Sequence, residues 1–225
     1  MTVAGVHQSA PGATPAPVTG QARGWLRLAW LYLVSRRVPA AVALLAGFGA
    51  LLWVALRWHW SVAGGAAAQM VIPLVTEAGA AAVIAVTTYG PFGEPERATG
   101  RWLPYLRLGA AVALTAAAIG ALAIGSTGGV LPGGFAAMAR NVAGITGVGL
   151  LCAAVLGGML AWTGPMAYLV LTESALAGRV STPWVWPGRP PLDRGGAICA
   201  YLVFAAGLAL VTMRGVRESV RDTAT

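Results

Sequence analysis

The sequence predicts an all-α integral membrane protein, with six transmembrane helices preceded by an amphipathic N-terminal helix lying in the membrane interface. Three observations lead there. Of 225 residues, 57% are hydrophobic and only 10% charged, and the mean hydropathy is +0.72. A soluble domain carries about a quarter charged residues and has no way to hide this much apolar surface. Apolar runs of a length suited to a hydrocarbon layer of about 30 Å recur along the chain. Finally, all 15 basic residues are arginine, and they sit at the ends of those runs rather than in one stripe. With a net charge of +8, that placement points to anionic lipid headgroups as the partner and away from nucleic acid.

Residues 1–21 are small, polar and proline-rich, with no basic region feeding an apolar core, and read as a flexible tail rather than a signal peptide. Residues 22–38 place Arg23 and Arg27 four apart among Trp25, Leu26, Leu28, Trp30, Leu31 and Leu33, before Arg36 and Arg37. This run is short for a crossing and has arginine at both ends, which suits a helix in the interface. Pro39 then opens the first span, because proline is accommodated in the first turn of a helix.

The transmembrane domain is expected over residues 39–213. Span 1 covers 39–56 and ends near Trp53, Trp58 and Trp60, aromatic residues of the kind that settle at a membrane–water boundary. Span 2 covers 66–89 and carries Glu77 near its middle. A charged interruption at 90–107 follows, with Glu94, Glu96, Arg97, Arg101 and Arg107. Span 3 covers 108–124. The glycine-rich stretch 125–141 reads as a loop with a short surface or re-entrant helix at 135–140. Span 4 covers 142–160, a tight turn occupies 161–165, and span 5 covers 166–178 with Glu173 inside it. Four prolines and two tryptophans make 179–196 a rigid cap rather than a helix. Span 6 covers 197–213, and residues 214–225 form a charged tail.

Six spans put both termini on one side. Ten arginines (23, 27, 36, 37, 97, 101, 107, 214, 217 and 221) fall on that side and five (57, 140, 179, 189 and 194) on the other. The positive-inside rule makes the terminal side cytoplasmic, and the Ala-, Gly- and Arg-rich composition without lysine fits a GC-rich bacterial genome and hence a bacterial cell membrane.

Glu77 and Glu173 are the acids expected inside spans. An ionisable group in hydrocarbon is costly and normally faces protein or a water-filled cavity. They are candidates for a translocation path, read either as a cation or proton site or as hydrogen-bonded groups of the bundle. Small residues at Gly47 and Gly49, and at Gly144, Gly147, Gly149, Gly157 and Gly158, are of the kind that lets helices approach closely. Cys152 and Cys199 have no CxxC partner, and the chain has no HExxH, GxSxG or Walker sequence. No catalytic or metal-ligating residue is expected, and energy for transport would have to come from ion coupling or from a separate ATPase.

The order of a basic amphipathic helix, six spans and a charged loop after span 2 reading GEPERATG resembles the permease subunits of ABC-2 type transporters. Glu96, Arg97 and Gly100 fit that family's E-[KR]-x-x-G-T pattern, with Arg101 where threonine is usual. The stretch 182–215, with its proline–tryptophan loop before the last span, is similar to actinobacterial members. The resemblance implies an exporter permease that dimerises with itself or a related permease, and that pairs with a separate ABC ATP-binding subunit holding ATP and Mg. Arg23, Arg27, Glu94, Glu96, Arg97 and Arg101 would then couple to the ATPase, and an amphipathic drug, antibiotic, peptide or lipid would be moved outward. An ion-coupled transporter or channel using Glu77 and Glu173, and a non-transporting assembly or immunity protein, are the alternative expectations.

Overall fold

The computed structural model describes residues 38–58, 65–87, 103–180 and 182–214. Within them lie six α-helices: α1 (Val38–Arg57), α2 (Gly65–Thr87), α3 (Leu103–Gly125), α4 (Gly134–Leu156), α5 (Thr163–Ala177) and α6 (Arg194–Arg214). Short 3-10 turns at Ser126–Gly128, Gly158–Leu160 and Trp186–Gly188 join them. The interfacial helix expected at 22–38 and most of the charged stretch at 90–107 lie outside the described residues.

Six helices do not make six spans. Among the described residues, four stretches are long and apolar enough to cross a membrane: Val38–Arg57, Arg107–Gly128, Gly134–Leu156 and Arg194–Met213. The expectation of six spans is therefore corrected to four, for two physical reasons. α5 has 15 residues, about 22 Å at 1.5 Å per residue, which falls short of the hydrocarbon thickness. In α2 the apolar stretch among the described residues is Val71–Thr87, about 26 Å at 1.5 Å per residue, and it carries Pro73, Thr76 and Glu77 within it. The chain is an all-α multi-pass membrane protein.

Contacts between helices fix their directions. Gly49 on α1 meets Ala121 and Gly125 on α3, and Gly128 and Gly129 lie against Trp53 and Leu56, so α1 and α3 run parallel. Gly144, Gly147 and Leu150 on α4 meet Ala200, Phe204 and Gly207 on α6, so these two are parallel as well. α2 returns between α1 and α3, and α5 between α4 and α6. Val38, Thr87, Arg107 and Val211 line one cavity of about 10 Å³. The start of α1, the end of α2, the start of α3 and the end of α6 thus share one end of the bundle, here termed the terminal face. The connections at 129–133 and 182–193 occupy the opposite end, the loop face.

α4 is the most enclosed of the four long helices and forms the centre of the molecule. It packs on α2, α5 and α6, while Leu45, Leu52, Ile84, Leu114, Leu122, Met138 and Val142 interlock α1, α2, α3 and α4. α2 is walled in by these neighbours, and Leu74, Ala78, Ala81 and Ile84 are buried. A helix shielded from lipid in this way is free of the demand for continuous apolarity, which is why it tolerates Thr76 and Glu77.

Two expected boundaries move. α4 begins at Gly134, so the surface helix expected at 135–140 is its first turns, and Arg140 and Asn141 lie inside it rather than in a loop. Arg140 is 1% exposed and drops out of the arginines expected on the outer surface. α6 begins at Arg194, three residues before the expected start.

Candidate functional site

The polar groups of the bundle gather where α2, α4 and α5 meet the segment 182–193. Pro132–Gly133–Gly134 starts the arrangement. Gly133 and Gly134 have φ of 77° and 69°, a left-handed conformation that other residues adopt only under strain. This sharp turn brings the chain from the end of α3 into α4 and places Arg140 and Asn141 in the second helical turn, facing inward.

Arg140 is held by the loop face. Its Nη1 donates to the Pro190 carbonyl at 2.9 Å, and its Nη2 to the carbonyls of Trp186 at 2.5 Å and Arg189 at 3.2 Å. A guanidinium offers a planar fork of donors, and these carbonyls form the matching cradle. Tyr168 on α5 donates from its hydroxyl to the Trp184 carbonyl at 2.8 Å. Its ring stacks on Trp186 at 4.6 Å between centroids and 21° between planes. Asp193 closes the segment: its carboxylate accepts from Arg189 Nε at 3.2 Å and from the Gly196 backbone N–H at 2.7 Å, capping α6. The proline–tryptophan stretch is therefore a cap, as its composition suggests. It also reaches inward, with Val185, Trp186 and Pro187 buried.

Beneath the cap lies Glu77. It is 3% exposed and lies close to the Asn141 amide and the Arg140 guanidinium. Glu77 and Asn141 line a cavity of about 30 Å³ together with Pro73, Pro132, Pro187 and Arg189. That is room for a water or two, and the mouth is built of loop-face residues. Two oxygens of this cluster, Glu77 Oε2 and Asn141 Oδ1, are buried without a hydrogen-bond partner.

The expected path residues therefore separate. Glu77 stands in a polar cluster, whereas Glu173 is half-buried on α5 with Oε1 shielded and without a hydrogen-bond partner. Glu77 has a basic neighbour in Arg140, which comes from another helix. Arg140, Asn141 and Tyr168 were not foreseen as site residues. The signal for the first two was the Pro-Gly-Gly at 132–134, which can open a helix upstream of the apolar run. The expected coupling residues Arg23, Arg27, Glu94, Glu96, Arg97 and Arg101 all lie outside the described residues.

Compared with models of known families, with curated proteins and with solved structures, the chain matches none.

Proposed function

We propose that the chain is the membrane subunit of an ABC-type exporter. In this reading a separate ATP-binding subunit supplies the energy, a second permease copy completes the assembly, and an amphipathic substrate moves outward. One observation carries the reading beyond the resemblance. The cavity lined by Val38, Thr87 and Arg107 brings together the points where residues 22–37 enter α1, where residues 88–102 leave α2, and where they enter α3. The two segments expected to contact an ATPase are thus anchored side by side on one end of the bundle, where a single partner surface reaches both. The terminal face would be cytoplasmic, in keeping with the arginine count.

Closure of the partner on ATP would shift these anchor points together, and α2, which runs from the terminal face to the polar cluster, would carry the shift inward. A ligand drives such a change only through different contacts in the two states. The charges at Glu94, Glu96, Arg97 and Arg101 are assigned that role. Co-expression with a candidate ATPase encoded beside this chain tests it. Reversal of charge at both Glu96 and Arg97 is expected to abolish co-purification and ATP-dependent export together. Unchanged binding and unchanged export in the double variant would refute the coupling role.

A further inference from the structure

We propose that residues 182–193 form a lid, latched by Tyr168 and Arg140, that lifts to let water from the loop face reach Glu77 and Asn141. The backbone of the segment is what makes it separable from the bundle. Pro183, Pro187, Pro190 and Pro191 have no N–H to offer to a neighbour. The backbone bonds found in the segment are local turns, from Val185 N–H to the Thr182 carbonyl, Gly188 to Val185, Arg189 to Trp186 and Asp193 to Pro190. Each closes within the segment, so the segment keeps them wherever it sits. Asp193, bonded to the Gly196 N–H, ties the far end to α6.

Side chains fasten the segment to the bundle. The Tyr168 hydroxyl donates to the Trp184 carbonyl, and the Tyr168 ring stacks on Trp186. Arg140 donates to three carbonyls of the segment. Trp186 rests in a notch that Gly144 leaves on α4, where a methyl would stand 2.7 Å from Trp186 Cζ2. Pro187 and Arg189 supply the segment's share of the cavity wall, and Glu77, Asn141 and Ala137 belong to its helical walls. Raising the segment takes away the first two and uncovers the other three.

Opposed interactions make this a two-state element. Closure gains the latch bonds, the ring stack and the burial of Val185, Trp186 and Pro187. It also leaves polar atoms buried without hydrogen-bond partners: the acceptors Glu77 Oε2 and Asn141 Oδ1, and the donors Arg140 Nε and Trp186 Nε1. Water both donates and accepts, so its entry satisfies donors and acceptors alike, and the open form recovers hydration that the closed form lacks. The closed form is the ground state, and the open form is reached by local opening of the segment while the helices stay packed. This lid operates whether or not an ATPase drives the protein.

Thiol labelling of the purified full chain in lipid nanodiscs, where both faces meet water, tests the proposal. In a background lacking Cys152 and Cys199, Ala137→Cys places a thiol on the cavity wall, and a charged methanethiosulfonate reagent reports its exposure by mass. Val130→Cys, 92% exposed and outside the segment, sets the unhindered rate. Position 137 is expected to label more slowly than 130 by about tenfold or more, because only the open form reacts. Tyr168→Phe keeps the ring and removes the hydroxyl. It is expected to speed labelling at 137 by about two- to tenfold, the effect of one hydrogen bond, and to leave 130 unchanged. A disulfide between Leu176→Cys and Gly188→Cys, which face each other across the closed seam, is expected to stop labelling at 137 until it is reduced. This second variant decides the matter should the first fail to fold. Equal rates at 137 with and without the Tyr168 hydroxyl, zero included, would make the segment a fixed wall. Labelling that continues under the disulfide would mean entry by another route. Either result overturns the proposal.

Discussion

Arg140 shows how a single side chain can be structural and still remote from every surface. Its guanidinium joins α4 to carbonyls on the segment that precedes α6, so removing it leaves buried acceptors without donors. Replacement by alanine is expected to cost about 3 kcal/mol, the scale found for deleting one partner of a buried charged cluster. Lysine should not restore the loss, because an ammonium is a point charge and cannot span a cradle that fits a planar fork. Unfolding of the purified variants in a mild detergent measures both. Stability of Arg140→Lys equal to that of wild type would show that the cradle's geometry is irrelevant. This residue was also the least legible in the sequence. Charge beside a glycine-rich stretch reads as loop, and only tertiary contacts distant in sequence reveal the buried carbonyls that make arginine tolerable in the interior.

Among the helices, the legible part was apolar periodicity and the illegible part was packing. α1 and α2 start and stop within two residues of expectation because proline, tryptophan and a clear fall in hydropathy mark their ends. α5 was expected to span and does not, because the residues that complete its return path are the non-helical cap at 182–193, which hydropathy alone cannot distinguish from an external loop. The glycines make the same point more sharply. Composition scatters them through the helices, yet they serve different ends. A methyl on Gly147 would stand 2.5 Å from Phe204 Cα, inside the α4–α6 contact, whereas one on Gly47 would meet nothing within 4 Å. Gly47→Ala is therefore expected to be neutral or to stabilise by up to about 1 kcal/mol through helix propensity. Gly147→Ala should destabilise by about 1–3 kcal/mol because the two helices must part. Thermal unfolding of the pair side by side checks the contrast, and equal effects would refute the close backbone packing.

At the scale of the whole molecule, the parallel pairs α1 with α3 and α4 with α6 put the two described ends of the chain on one face. Val130 and Leu192, 92% and 89% exposed, stand on the other face. Cysteines placed at these two positions, in a background lacking Cys152 and Cys199, are expected to label together with an impermeant thiol reagent added to intact cells. A cysteine introduced before α1 should label only after the cells are opened. Opposite behaviour of positions 130 and 192 would contradict the arrangement of the bundle. The alternation of apolar runs led to the expectation of a shared side for the termini, which lie outside the described residues; within them, the start of α1 and the end of α6 share one face. The polar cluster was only half legible: an acid inside an apolar helix announced itself, but the partners that give it chemistry come from a separate helix and a separate loop.

The bond between Arg140 and the cap also bears on how the protein is made. The three carbonyls that accept from Arg140 lie 46 to 50 residues further along the chain. When α4 leaves the ribosome they have not yet been synthesised, and the insertion machinery meets a guanidinium without these partners in the second turn of the helix, at a cost below the roughly 3 kcal/mol of an arginine at a helix centre. The hydrogen bonds that hold α4 in place thus form only once the proline–tryptophan segment has been made, so the helix at the centre of the molecule is completed by one of the last parts of the chain to appear.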